Sequence, residues 1–118
     1  MSIILQDAKI VSLRVSVRED MLEYMHEEDV GYSEQDIAES DAAVQGYLEA
    51  VARATTSEEA MGAVRTVVLT LNALNAKCGH ELIETDARED LAEIIIRAAH
   101  LKGFCQPDED ITEQWREW

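Results

Sequence analysis

The sequence predicts an all-α protein, an antiparallel helical bundle of four main helices with a short C-terminal helical tail. Three observations predict it. Apolar residues recur every three or four positions through most of the 118 residues. The breaks between those runs hold turn and capping residues: Gly31, Ser33, Ser57, Gly79, Gly103 and the single proline, Pro107. The connectors are short, which favours antiparallel neighbours in an up-and-down bundle. Residues 1–118 fit one domain, large enough to bury roughly two-thirds of its unfolded surface without metal or disulfide staples.

From Asp7 to about Glu28, residues Ile10, Leu13, Val17, Met21 and Met25 fall on one helical stripe. A strand competes over residues 9–17, because Leu13, Val15 and Val17 alternate with Arg14, Ser16 and Arg18. The apolar spacing runs on unbroken into EDMLEYMHEE, which favours helix.

After a turn at Asp29 to Tyr32, Ser33 opens a second helix with Asp36 three residues on, an acidic variant of the capping box. Ile37, Val44, Leu48 and Val51 mark its buried side. Ser57, followed by Glu58 and Glu59 at the positive end of the backbone dipole, opens a third. Met61, Val64, Val67, Val68, Leu71 and Leu74 cover more than half its circumference, so this helix is expected to lie deepest. Gly79 stops it in a left-handed conformation. Thr85 or Asp86 caps the fourth helix, whose stripe is Leu91, Ile94, Ile95, Ala98 and Leu101, and Gly103 ends it. Beyond Pro107, DITEQWREW is expected to form one or two helical turns with Asp110 as cap, presenting Ile111, Trp115 and Trp118.

Twenty-five Asp and Glu against ten Lys and Arg give a formal charge of −15. A surface so one-sided repels phosphate backbones and anionic lipid, which argues against nucleic acid and membrane as partners, and attracts a basic protein. The start, MSIILQDAKIVSLRV, lacks the basic and uninterrupted apolar parts of a secretory leader, and a cytoplasmic protein with reduced thiols is expected.

Catalytic signatures are missing: there is no GxSxG, HExxH, glycine-rich phosphate loop or basic cluster. Cys78, His80, His100 and Cys105 form a ligand set that zinc accepts, but the fourth helix separates the two pairs by about 25 Å. That distance also forbids a disulfide within one chain. The acids Glu81, Glu84, Asp86, Glu89, Asp90 and Glu93 suggest magnesium chemistry of the kind run by all-helical nucleotide pyrophosphohydrolases. This chain departs from their facing acidic pairs, and Glu93 with Arg97 reads as an ordinary i to i+4 pair on a solvated face. His26 beside Glu27 and Glu28 reads as a surface helix end.

The acids of the first half carry more information. Between Glu19 and Asp41 stand Glu19, Asp20, Glu23, Glu27, Glu28, Asp29, Glu34, Asp36, Glu39 and Asp41, with no lysine or arginine among them. One end of the bundle is expected to be strongly negative, with a solvated, solubility-driven face as the plain alternative. Tyr24 and Tyr32 fall in the same run and could anchor an interface or simply pack at the bundle edge.

Small, acidic, cysteine-poor and helical, with the run ELIETDAREDLAEIIIRAAHLKG followed by ITEQWREW, the chain resembles in type the immunity proteins of bacterial toxin systems. That resemblance implies stoichiometric blockade, in which the acids dock against the basic cleft of a toxin and the aromatics slow dissociation. The expectation is therefore a non-enzymatic module binding a basic protein such as a toxin. Its contact set is Glu19, Asp20, Glu23, Tyr24, Glu27, Glu28, Asp29, Tyr32, Glu34 and Asp36, with no catalytic residue, metal or cofactor. A metal-dependent helical hydrolase using residues 81–93 is one rival. A self-associating assembly protein is another, forming a homodimer through Trp115 and Trp118 of the tail.

Overall fold

Helix α1 (Ala8–Glu27) starts where the Asp7 carboxylate accepts a hydrogen bond from the Ile10 amide at 3.1 Å. That cap satisfies one of the orphan donors of the first turn and fixes the segment as helix rather than strand. The β-branched residues tolerate it because Ile10, Leu13, Val17 and Met21 line one buried side. The computed structural model describes residues 4–118, so the first three residues of the stretch read above for a leader lie outside the described residues. Among the described residues there are four helices and no strand, and none of the helices is long and apolar enough to cross a membrane.

Helix α2 (Glu34–Arg53) begins with the expected Ser33–Asp36 capping box, in which the Asp36 carboxylate accepts from the Ser33 amide at 3.0 Å. Helix α3 (Ser57–Lys77) is capped one residue earlier than expected. Thr56 accepts from the Glu59 amide, while Glu59 accepts in return from Thr55 and Thr56. Gly79 ends α3 at φ 66°, and His80 follows it into the left-handed region at φ 63°. Two such residues in succession reverse the chain toward helix α4 (Thr85–Leu101).

The caps proposed for α4 are corrected: Glu84 occupies the N-cap position and makes no side-chain cap bond. The buried Asn75 side chain organises this turn instead, accepting from the Ile83 amide at 3.0 Å. Gly103, at φ 81°, ends α4 as expected.

The four helices enclose one core, in which Leu71, Leu91, Ile94 and Ile95 are fully buried. Truncating one such side chain to alanine costs about 2–5 kcal/mol. Helix α3 was expected to lie deepest, but α4 buries seven of its 17 residues against seven of 21 for α3. Helix α3 packs strongly on α2 alone, whereas α2 touches each of the other three helices. Polar contacts between α1 with its cap and α4 include Asp7 with Arg97, Lys9 with Glu93 and Ser16 with Asp90. The Tyr47 hydroxyl donates to the Ile95 carbonyl at 2.6 Å and ties α2 to α4 inside the core.

Residues 102–118 form turns and bends rather than a helix of their own. The Asp110 carboxylate accepts from Thr112, as a cap would, but the turn does not propagate past Arg116. The segment is held by Asn72 on α3, which donates to the Trp115 carbonyl at 2.8 Å and accepts from the Glu117 amide at 3.0 Å. Ile111 is buried, and Trp115 and Trp118 pack half-buried on this chain's own core.

Candidate functional site

The run of acids from Glu19 to Asp41 divides once the helices pack. Asp36 and Glu39 both hold Lys77, at 3.1 and 3.2 Å, and Asp41 holds Arg14 at 3.0 Å. Those three carboxylates are spent on tying α2 to α3 and to α1. Asp36 sits below the ordinary carboxylate range chiefly because the Ser33 amide donates to it, with Lys77 assisting. Glu34 lines a separate groove with Arg18 and Leu22. Glu19 is exposed midway along α1, and Glu27, Glu28 and Asp29 are exposed at its end and in the loop after it.

Asp20, Glu23 and Tyr24 behave differently. The last turns of α1 bring them against the segment that enters α4, and together with Tyr32, Glu84 and Asp86 they line a notch of about 290 Å³. Met21, Leu82 and Ala87 form its apolar floor. Among the described residues, no lysine or arginine lies within ion-pair distance of Asp20, Glu23, Glu84 or Asp86. The crowding shows in the titration of Asp20. Partial burial pushes its carboxyl up, and the Asp86 and Asp90 carboxylates push it further, with Glu23 and Glu19 behind them.

The two tyrosines do different work. Tyr32 is only 8% exposed and its hydroxyl donates to the Met21 carbonyl at 2.7 Å, so its ring supports the notch from beneath. Burial, with Tyr24, Glu84 and Glu81 nearby, pushes its phenol up to about 12. Tyr24 is 36% exposed and stands at the rim. Its phenol is pushed up by partial desolvation and then by Glu84, Glu28 and Glu81.

The loop beneath this end is closely built. A Cβ on Gly31 would lie 3.0 Å from the Cys78 carbonyl oxygen, so glycine lets the loop after α1 cross the end of α3.

Sequence reasoning missed Glu84 and Asp86 as members of this site. In sequence they read as part of the Glu81–Glu93 run of candidate metal ligands, and Asp86 also as a cap of the fourth helix. Among the described residues no group of three or more His, Cys, Asp or Glu side chains converges as a metal ion needs. Of the other acids of that run, Asp90 accepts from Ser16 at 2.8 Å and Glu93 faces Lys9 at 3.8 Å. Cys78 and Cys105 are buried thiols, both pushed up by that burial. The His100 Nδ1 lies 3.0 Å from the Cys105 carbonyl oxygen. Comparison with protein families, with curated proteins and with solved structures finds no match for this chain.

Proposed function

We propose that this chain is a non-enzymatic binding module that docks a basic protein surface and, by occupying it, acts as a stoichiometric inhibitor of the immunity type. The docking element is the acidic notch between the end of α1 and the start of α4, carried on an antiparallel bundle. Asp20, Glu23, Glu84 and Asp86 meet lysine or arginine side chains of the partner, and the Tyr24 ring packs at the rim. One observation carries this reading. The carboxylates at Asp7, Asp36, Glu39, Asp41, Glu93 and Asp110 have cationic partners within this chain, while among the described residues those of the notch have none, and Asp20, pushed up by partial burial, is pushed further by Asp86 and Asp90 with Glu23 behind them. Like charges gathered without internal compensation cost stability, and a cationic partner reverses that cost.

The test is capture from a lysate of the native host, using wild type and two variants that each remove four negative charges. The first carries Asp20→Asn, Glu23→Gln, Glu84→Gln and Asp86→Asn. The second carries Glu58→Gln, Asp108→Asn, Glu113→Gln and Glu117→Gln, all exposed and outside the notch. A basic protein retained by wild type and by the second variant, but lost by the first, is the expected result. Equal retention by both variants, or equal loss, sinks the notch as the docking site.

A further inference from the structure

The groove that Glu34 shares with Arg18 and Leu22 has a volume of about 360 Å³ and no lining residue in common with the acidic notch. Its two walls differ in character. On α1, Val11, Val15, Arg18 and Leu22 recur every three or four residues and so share one stripe. Val15 is 50% and Val11 45% exposed, the most open of the large apolar side chains among the described residues. On α2, Glu34, Ala38 and Ala42 follow at intervals of four, all of them exposed. The Arg14–Asp41 ion pair at 3.0 Å fixes the relative height of the two helices and brings Val15 level with Ala42.

Charge sets this surface apart from the rest of the molecule. Counted with the carboxylate that holds Arg14, the walls carry Arg14 and Arg18 against Glu34 and Asp41, and they are neutral on a chain of net charge −15. Among the described residues neither Arg18 nor Glu34 has an ion-pair partner. Two charges of opposite sign therefore flank an apolar floor of Leu22, Ile37 and Ala38 without pairing to each other.

Each wall is the complement of the other. The α1 wall offers large apolar side chains and a cation, and the α2 wall offers small side chains and an anion. Such a surface matches itself under a twofold axis along the groove, which lays α1 of each copy over α2 of the other. We propose that a second copy of this chain docks here. Val11 and Val15 rest on Ala42 and Ala38 of the other copy, Arg18 pairs with its Glu34, and each contact occurs twice. The stripe from Val11 to Leu22 rises about 16 Å and two helices are about 20 Å wide, small against the roughly 800 Å² that each partner gives to a stable complex. The dimer is therefore weak, with a dissociation constant on the order of 100 μM. The notch lies outside this contact and stays open in both copies.

Sedimentation velocity of the full-length protein from 10 μM to 1 mM reads the association, in 150 mM NaCl to screen repulsion between the distant acids. A reversible shift toward twice the monomer mass is expected. Val15→Glu, Arg18→Glu and Glu34→Arg each weaken it by roughly tenfold or more, because each sets a charge against an apolar or like-charged surface. Arg18→Glu combined with Glu34→Arg returns it to within about threefold of wild type, since the exchanged charges meet again across the twofold axis. Restoration cannot arise from misfolding, so the double variant keeps the proposal exposed to refutation. A wild type that stays monomeric at 1 mM, association indifferent to the single substitutions, or a double variant no stronger than Arg18→Glu and Glu34→Arg alone overturns it.

Discussion

If the notch carries uncompensated repulsion, removing one of its charges should make the protein more stable while weakening its capture of a basic partner. Asp20→Asn is the sharpest form of that perturbation, because the amide keeps the shape of the side chain and deletes only the charge. Asp86 and Asp90 act on it most strongly among the carboxylates, followed by Glu23 and Glu19. An exposed charge pair contributes roughly 0.2–1 kcal/mol, and these pairs are partly screened by water, so their sum is about 0.5–1 kcal/mol. For a chain of this length that raises Tm by about 2–6 °C.

The pH dependence follows from the direction of the shift. Asp20 binds its proton more tightly in the folded protein than in the unfolded chain, so protonation stabilises the fold. That contribution is complete below the unfolded value, near 3.8, and is lost as pH rises through the folded value. The asparagine variant resembles the protonated form at every pH. Its advantage is therefore full at pH 7 and disappears below the unfolded value. Urea denaturation of both proteins at pH 7 and pH 3, in 20 mM and 500 mM NaCl, reads this directly, and the gain at pH 7 should shrink in the high salt. A destabilised variant at pH 7, or a gain that is the same at both pH values, refutes the electrostatic account of the notch.

The ion pair at the opposite end of α1 carries the reverse sign. The Arg97 hydrogen bond, with help from the Ile10 amide, holds Asp7 below the ordinary carboxylate range. Its stabilisation is thus present above the unfolded value and lost as pH falls through the folded one. Asp7→Ala, which deletes both the pair and the α1 cap, costs about 1–2 kcal/mol at pH 7 by urea denaturation, and the deficit narrows toward pH 2. A deficit unchanged by acid rules out the charge as its source. The glycines separate into two classes testable by thermal melting. Gly31→Ala loses about 1–3 kcal/mol, since its Cβ meets backbone at 3.0 Å. Gly46→Ala, mid-helix with nothing within 4 Å, gains about 0.5–1 kcal/mol. The opposite signs at the two sites would overturn the packing described. Asn72→Ala removes both hydrogen bonds that clasp the tail, so Trp115 and Trp118 fluorescence shifts to longer wavelength while the mass by light scattering stays constant. Unchanged emission shows that the clasp does not hold the tail.

The helices were legible because each one announces itself locally. Ser33 with Asp36, Gly79 and Gly103 mark ends through short-range hydrogen bonding and the left-handed backbone, and the stripes of α1 and α4 repeat at helical spacing. Where local chemistry was weak the reading slipped. Glu84 precedes α4 without a side-chain cap bond, because Asn75, nine residues back, holds that turn. The tail looked helical by composition, but Asn72 captures its backbone and leaves room for only one turn. The deepest helix is α4 rather than the more apolar α3, one side of which is covered by the tail that Asn72 clasps.

By itself the sequence determined the helical class, the net charge of −15 and the surplus of carboxylates in the first half, all properties of composition and spacing along one chain. Only the tertiary structure decided which carboxylates are neutralised and which confront one another. Asp36, Glu39 and Asp41 find Lys77 and Arg14, whereas Asp20 and Glu23 find Glu84 and Asp86 some sixty residues away. Electrostatic energy depends on distance through space, and which helix ends meet is fixed by packing rather than by the order of residues.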